Sequence, residues 1–133
     1  MTAPDQDLVN AASEARSNAY CRYSGYRVGA ALVDEKGNVH VGCNVENSAF
    51  PEGTCAEANA IAAMIASGGK TINSIVVIGG EDVVEDCTPC GGCRQKIAEF
   101  ADASTRIVLV GADNGLTTYT IDDLLPVSFS LRG

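Results

Sequence analysis

The segment Ser74-Ile-Val-Val-Ile-Gly79 constrains the fold of this chain most strongly. Its unbroken apolar run, bounded by turn-forming residues, leaves no polar side to a strand, so both faces need cover and the strand belongs at the centre of a sheet. The flanking segments supply that cover. From Asp5 to Tyr20, Leu8, Ala11, Ala12, Ala15 and Ala19 recur at spacings of three and four behind Asp and Asn as capping candidates, which predicts an amphipathic helix. Arg27 to Val33 and Asn38 to Val45 are rich in Val and Ala and flank Asp34-Glu35-Lys36-Gly37, which predicts a β-hairpin.

Thr54 is placed to cap a helix from Cys55 to about Ser67, ended by Gly68-Gly69, with Cys55 and Glu57 in its first turn. Thr88-Pro89 then precedes a second cysteine-bearing helix start, Cys90 to Phe100. Arg106 to Val110 reads as another buried strand, and Ile121 to Leu125 as a short helix before Pro126 and a strand-like or irregular tail. The order α-β-β-α-β-α-β predicts a three-layer α/β/α architecture around a mixed central sheet. No repeat, low-complexity segment or linker divides the chain, so residues 1–133 are expected to form one domain, large enough to bury a core without disulfides.

Charge narrows the function. A formal net charge of −8, with nine Lys and Arg scattered along the chain, opposes binding to a nucleic-acid polymer or an anionic membrane and favours a small neutral or weakly charged ligand. The start, Met1-Thr-Ala-Pro-Asp-Gln-Asp, lacks the basic and apolar runs of a secretory signal, and no apolar stretch reaches the length of a membrane span, so a soluble cytoplasmic protein is expected. In that reducing compartment, six cysteines point to metal binding or catalysis rather than to a disulfide framework.

Cys90 and Cys93, spaced C-x-x-C at a helix start, can place two thiolates on one metal. A redox dithiol shares this spacing, but usually follows a strand near the start of a chain and has no need of a companion Cys-Ala-Glu. Cys55 offers a third thiolate from another helix N-terminus, where the helix dipole favours an anionic sulfur. The single histidine, His40, lies in the hairpin, and Cys21, Cys43 and Cys87 lack matching spacing and read as small buried hydrophobes. Three ligands with an open fourth position describe a catalytic zinc, whereas a structural zinc module would close that position. Glu57, two residues beyond Cys55, can reach a zinc-bound water as a proton shuttle; alone it would read as an acid complementing the helix dipole.

Thr54-Cys-Ala-Glu57 and Pro89-Cys-Gly-Gly-Cys-Arg-Gln95 together resemble the cytidine deaminases of the short, homotetrameric, three-cysteine type. The resemblance extends through Tyr26-Arg-Val-Gly-Ala-Ala-Leu32, Gly42-Cys-Asn-Val-Glu-Asn47 and Leu124-Leu-Pro-Val-Ser-Phe129, in order along nearly the whole chain. It implies one Zn²⁺ per subunit on Cys55, Cys90 and Cys93, a hydroxide that attacks C4 of cytosine, and Glu57 as carrier of protons to N3 and to the departing amine. The expected reaction turns cytidine or deoxycytidine into uridine or deoxyuridine and ammonia. By the same resemblance Asn44 and Glu46 bind the ribose, Tyr26 packs on the pyrimidine, the Ala56 backbone bonds the base, and the Thr88 carbonyl receives the leaving ammonia. Phe129 closes a neighbouring subunit's site, so a homotetramer with shared sites is expected.

Two departures from the family pattern stand out. Ala58 replaces an Arg common after Cys-Ala-Glu, leaving Arg94 alone to hydrogen-bond the zinc thiolates and implying an electron-rich zinc with a raised pH optimum. Phe50 stands where relatives often carry Tyr. A deaminase of a modified cytosine nucleoside, such as the blasticidin type, shares the zinc motif, but Asn44 with Glu46 favours a plain ribose substrate. A nucleic-acid-editing deaminase needs a basic groove and stacking platforms foreign to an acidic chain without Trp.

Overall fold

The computed structural model describes residues 3–131. The apolar run at 74–79 lies within strand β3 (Ile72–Gly80), the middle of a five-stranded sheet ordered β2-β1-β3-β4-β5. β1 (Arg27–Asp34) pairs antiparallel with both β2 (Val39–Cys43) and β3, while β4 (Arg106–Val110) runs parallel to β3. The expected hairpin is present, and the mixed three-layer architecture is as the order of elements implied.

Alternation along β3 builds two cores. Val76 and Ile78 pack with Leu8, Ala12, Ala31, Val108 and Val110 beneath helix α1 (Ala3–Ser17). Ile75 and Val77 face the other way, into a core with Leu32, Met64, Ile97 and Ile107 beneath α2 (Ala56–Ala66), α3 (Gly91–Phe100) and the short α4 (Ile121–Leu124). Full burial of each such side chain contributes about 1.5–3 kcal/mol. Two glycines let the helices settle directly on the strands. A Cβ at Gly29 would lie 2.0 Å from the Ala12 carbonyl oxygen of α1, and one at Gly42 would lie 2.5 Å from both Ala56 O and Ala60 N of α2. Gly42 therefore fixes how closely the start of α2 approaches the sheet.

Several boundaries differ from the sequence reading. α1 ends at Ser17 rather than Tyr20, because Tyr20 leaves the helix to form a parallel bridge with Val45. Strand β5 (Leu116–Tyr119), which the sequence reading passed over, pairs antiparallel with β4 across a turn whose Asn114 has φ 63°. It is a four-residue edge strand, too short for a clear periodic signal. The tail after α4 adds no strand among the described residues. No described helix is long and apolar enough to cross a membrane.

Candidate active site

Two helix starts meet at the carboxyl end of β3. Helix α2 begins one residue later than the sequence suggested: Cys55, not Thr54, is its N-cap, in extended conformation and without a side-chain capping bond. Thr54 is otherwise engaged. Its backbone exchanges hydrogen bonds with Val45 in both directions (Thr54 N to Val45 O 2.9 Å, Val45 N to Thr54 O 3.0 Å), and its hydroxyl accepts from Asn59 Nδ2 at 3.0 Å. Asn59 Nδ2 also donates to Cys43 O at 2.7 Å, lashing the first turn of α2 to the end of β2. Asn59 is a positioning residue that the motif reading missed, since an Asn inside a helix carries no signal of its own.

Cys90 is the N-cap of α3, and its sulfur accepts the Cys93 N–H at 3.4 Å. That backbone donor holds the Cys90 thiol below its ordinary pKa. Burial pushes the thiols of Cys55 and fully buried Cys93 upward, so three thiolates gather only if a cation neutralises them. The sulfurs of Cys55, Cys90 and Cys93 lie within 4.8 Å of one another. Tetrahedral zinc, with Zn–S near roughly 2.3 Å, spaces its sulfurs about 3.8 Å apart, so this donor set fits zinc with little adjustment. Helix N-termini at Cys55 and Cys90 add partial positive charge where the thiolates need it.

Glu57, at the second position of α2, is only 4% exposed, and burial raises its carboxyl above the usual range while Lys96 partly offsets this. A carboxyl whose pKa is raised by burial is a stronger base when ionised and can both accept and return a proton. It opens on a cavity of about 330 Å³ that it lines together with Cys55 and Cys90. The same cavity is lined by Tyr26, Asn44, Glu46, Ala56 and Thr88, so nearly every residue singled out from the sequence converges here. Ala56 is the first residue of α2, a first-turn position whose amide has no intrahelical acceptor.

Asn44 and Glu46 are held rigidly. Asn44 Oδ1 accepts from Val28 N and its Nδ2 donates to Tyr26 O, both at 2.8 Å. Glu46 Oε1 accepts from Tyr23 N (2.9 Å) and Ser24 N (3.1 Å), and Oε2 accepts from Ser24 Oγ. These bonds, led by that of the Ser24 hydroxyl, keep the Glu46 carboxyl below its ordinary range and hence ionised. A carboxylate has about four acceptor positions and an amide NH₂ two donors, so each side chain retains capacity for a ligand hydroxyl.

Arg94 departs from expectation. It donates from Nε to Pro89 O (2.8 Å) and from Nη1 to Leu124 O (2.9 Å), tying the Pro89-Cys90 turn to α4 rather than bonding a thiol. Those carbonyls face the guanidinium because α4 packs beside α3. Phe129 lies outside the cavity, 69% exposed, its carbonyl accepting from Gln95 Nε2 at 3.1 Å. Phe50 is also exposed and meets Tyr23 edge-on at 5.9 Å. Of the remaining cysteines, Cys21 is buried as expected, while Cys43 and Cys87 are half-buried, Cys87 packing against the core and also lining the cavity. His40 is buried in a 2.8 Å contact with Asp34, away from the sulfurs.

The sequence profile of the cytidine and deoxycytidylate deaminase zinc-binding region matches residues 2–110. The chain is 37% identical over 125 residues to a cytidine deaminase of Sporosarcina psychrophila, spanning 94% of this chain and 90% of that one. A cytidine deaminase of Halalkalibacterium halodurans is 35% identical over 125 residues, spanning 94% and 93%. The crystal structure of cytidine deaminase from Burkholderia pseudomallei superposes with a TM-score of 0.86 at 37% identity, covering 97% of this chain and all of that one. The likeness takes in the sheet and both cysteine-bearing helix starts, and the chain belongs to the cytidine and deoxycytidylate deaminase family.

Proposed function

We propose that this protein is a zinc-dependent hydrolase that deaminates cytidine and deoxycytidine to uridine and deoxyuridine with release of ammonia. The observation that carries this reading is the convergence of three cysteine sulfurs within 4.8 Å beside buried Glu57 on one cavity. Cys55, Cys90 and Cys93 hold the metal. Bound zinc supplies, by acidifying water, a hydroxide nucleophile at neutral pH. Glu57 takes up the proton released from water, delivers it to N3 of the base as C4 becomes tetrahedral, and then carries the remaining proton of the hydroxyl added at C4 to the amine as the C4–N bond breaks. Asn44 and Glu46 meet the ribose hydroxyls with their remaining donor and acceptor positions, Tyr26 receives the pyrimidine, and the Ala56 backbone orients it.

In this reading the working form is a homotetramer in which Phe129 completes a neighbouring subunit's cavity, and the exposure of Phe129 in the single chain supports that role. The six cysteines are unpaired, in keeping with action in a reducing cytoplasm. The decisive assay follows the loss of cytosine absorbance with cytidine as substrate, beside a Glu57→Ala control assayed for zinc. Turnover by the wild type alone, with zinc retained in both, is expected. Full zinc occupancy with no turnover would redirect the assignment toward a modified nucleoside or a structural metal.

A further inference from the structure

The tail after α4 contains a bend that its own side chains do not explain. Among the described residues, Asn114 and Val127 are the positions other than glycine with positive φ. Asn114 stands in the β4–β5 turn, and asparagine tolerates the left-handed region. Val127, at φ 53°, does not, because that region crowds a β-branched side chain against the following carbonyl. Its side chain is fully exposed, so no packing of its own offsets the strain. Such a conformation persists only where the surrounding structure over-determines it.

The restraint comes from consecutive residues of α3, on either side of the bend. Before it, Leu124 O accepts from Arg94 Nη1 at 2.9 Å; after it, Phe129 O accepts from Gln95 Nε2 at 3.1 Å. Leu124 is itself a fixed point, since α4 is closed at its start by the Thr120–Asp123 capping box and at its end by Leu125 N bonding Ile121 O at 2.8 Å. Gln95 follows the cysteine pair on the helix whose start carries Cys90 and Cys93, so the tail is tied to the metal-bearing helix. The Phe129 backbone is thus anchored while its ring, 69% exposed, is left bare. That combination suits an aromatic offered to another chain, because a ring already set in place loses little conformational freedom when it is received.

We propose that Gln95 is a positioning residue: by holding the Phe129 carbonyl against the left-handed bend at Val127, it presents the Phe129 ring to the neighbouring subunit's cavity. The inference rests on the shared-site reading above. Because the ring closes the cavity before and during the reaction alike, its loosening weakens binding more than turnover.

The test uses the zinc-loaded enzyme with Gln95→Met, which keeps length without a donor, Phe129→Ala, the Gln95→Met/Phe129→Ala pair and the Gln95→Met/Val127→Asn pair. Amide hydrogen exchange over residues 125–131, KM and kcat for cytidine, zinc content, subunit number and Tm are measured for each. Gln95→Met should speed tail exchange and raise KM by about three- to tenfold each, the loss of one hydrogen bond, with kcat within about twofold and zinc retained. Paired with Phe129→Ala, it should raise KM no further than Phe129→Ala alone, since it acts through that ring. Asparagine accepts the bend, so the Gln95→Met/Val127→Asn pair should exchange more slowly in the tail than Gln95→Met. Gln95→Glu, isosteric and without a donor, takes the place of Gln95→Met if that variant fails to fold. Wild-type tail exchange in Gln95→Met, or effects on KM that multiply with Phe129→Ala, would overturn the role, as would a fall in kcat with loss of zinc. A fully active wild-type monomer would overturn presentation to a neighbour. An inactive wild type is failure of the deaminase reading alone, and tail exchange then decides whether Gln95 sets the ring.

Discussion

At the scale of single residues, the strongest expectation concerns Glu57. Glutamine matches its shape and burial but cannot carry a proton, so Glu57→Gln should lower kcat by roughly 10²–10⁴-fold while zinc stays bound. Metal analysis alongside steady-state kinetics checks both halves, and loss of zinc with activity would point to a structural role instead. The thiolate positions were legible because metal geometry demands sulfur at restricted spacings, and Cys55, Cys90 and Cys93 meet in space as that spacing implied. Arg94 was less legible. Its neighbourhood in sequence placed it beside the cluster, but its hydrogen-bond partners, Pro89 O and Leu124 O, depend on where α4 lands. Cys87 was legible only in part: it packs against the core as a small hydrophobe, but an isolated cysteine carries no pattern, and only the fold leaves it half-buried on the cavity wall.

At the scale of elements, the seat of α2 on β2 depends on the missing side chain at Gly42. Gly42→Val should drive branched methyls into the Ala56 and Ala60 backbone, costing about 1–3 kcal/mol and shifting Cys55 from the other two sulfurs. Urea denaturation should register the first effect and weakened zinc retention in a chelator titration the second; unchanged retention would separate α2 packing from the metal site. The β1–β2 turn supplies a pH-dependent test. His40, followed by the Asn38 and Lys36 N–H groups on Asp34 Oδ1, lowers the Asp34 carboxyl pKa. A depressed folded pKa means that the pair stabilises the fold above the unfolded value of about 4 and that this contribution fades as pH falls through the folded value. Asp34→Asn should therefore lower Tm at pH 7 and flatten the fall of Tm below about pH 4; parallel Tm curves for the two proteins would refute that. Helices and buried strands were legible here through their long apolar periodicity. The Thr54 cap was not, because its pairing with Val45 is a contact between segments that no local rule reveals.

At the scale of the whole molecule, association should complete the site. Light scattering is expected to give four subunits, and Phe129→Ala should raise KM for cytidine several-fold without altering zinc content; a monomer with wild-type kinetics would exclude a shared site. The sequence alone determined the class of architecture, since an apolar run at 74–79 flanked by amphipathic helices has few burial solutions other than a covered sheet. It also determined the donor set of the metal, because ligand chemistry restricts residue type and local spacing together. Tertiary structure alone decided the order β2-β1-β3-β4-β5, the one-residue shift in the start of α2, the outward stance of Phe129 and the place of Cys87 on the cavity wall. Each of these depends on segments distant along the chain settling against one another, where packing and exact register, rather than local pattern, select the outcome.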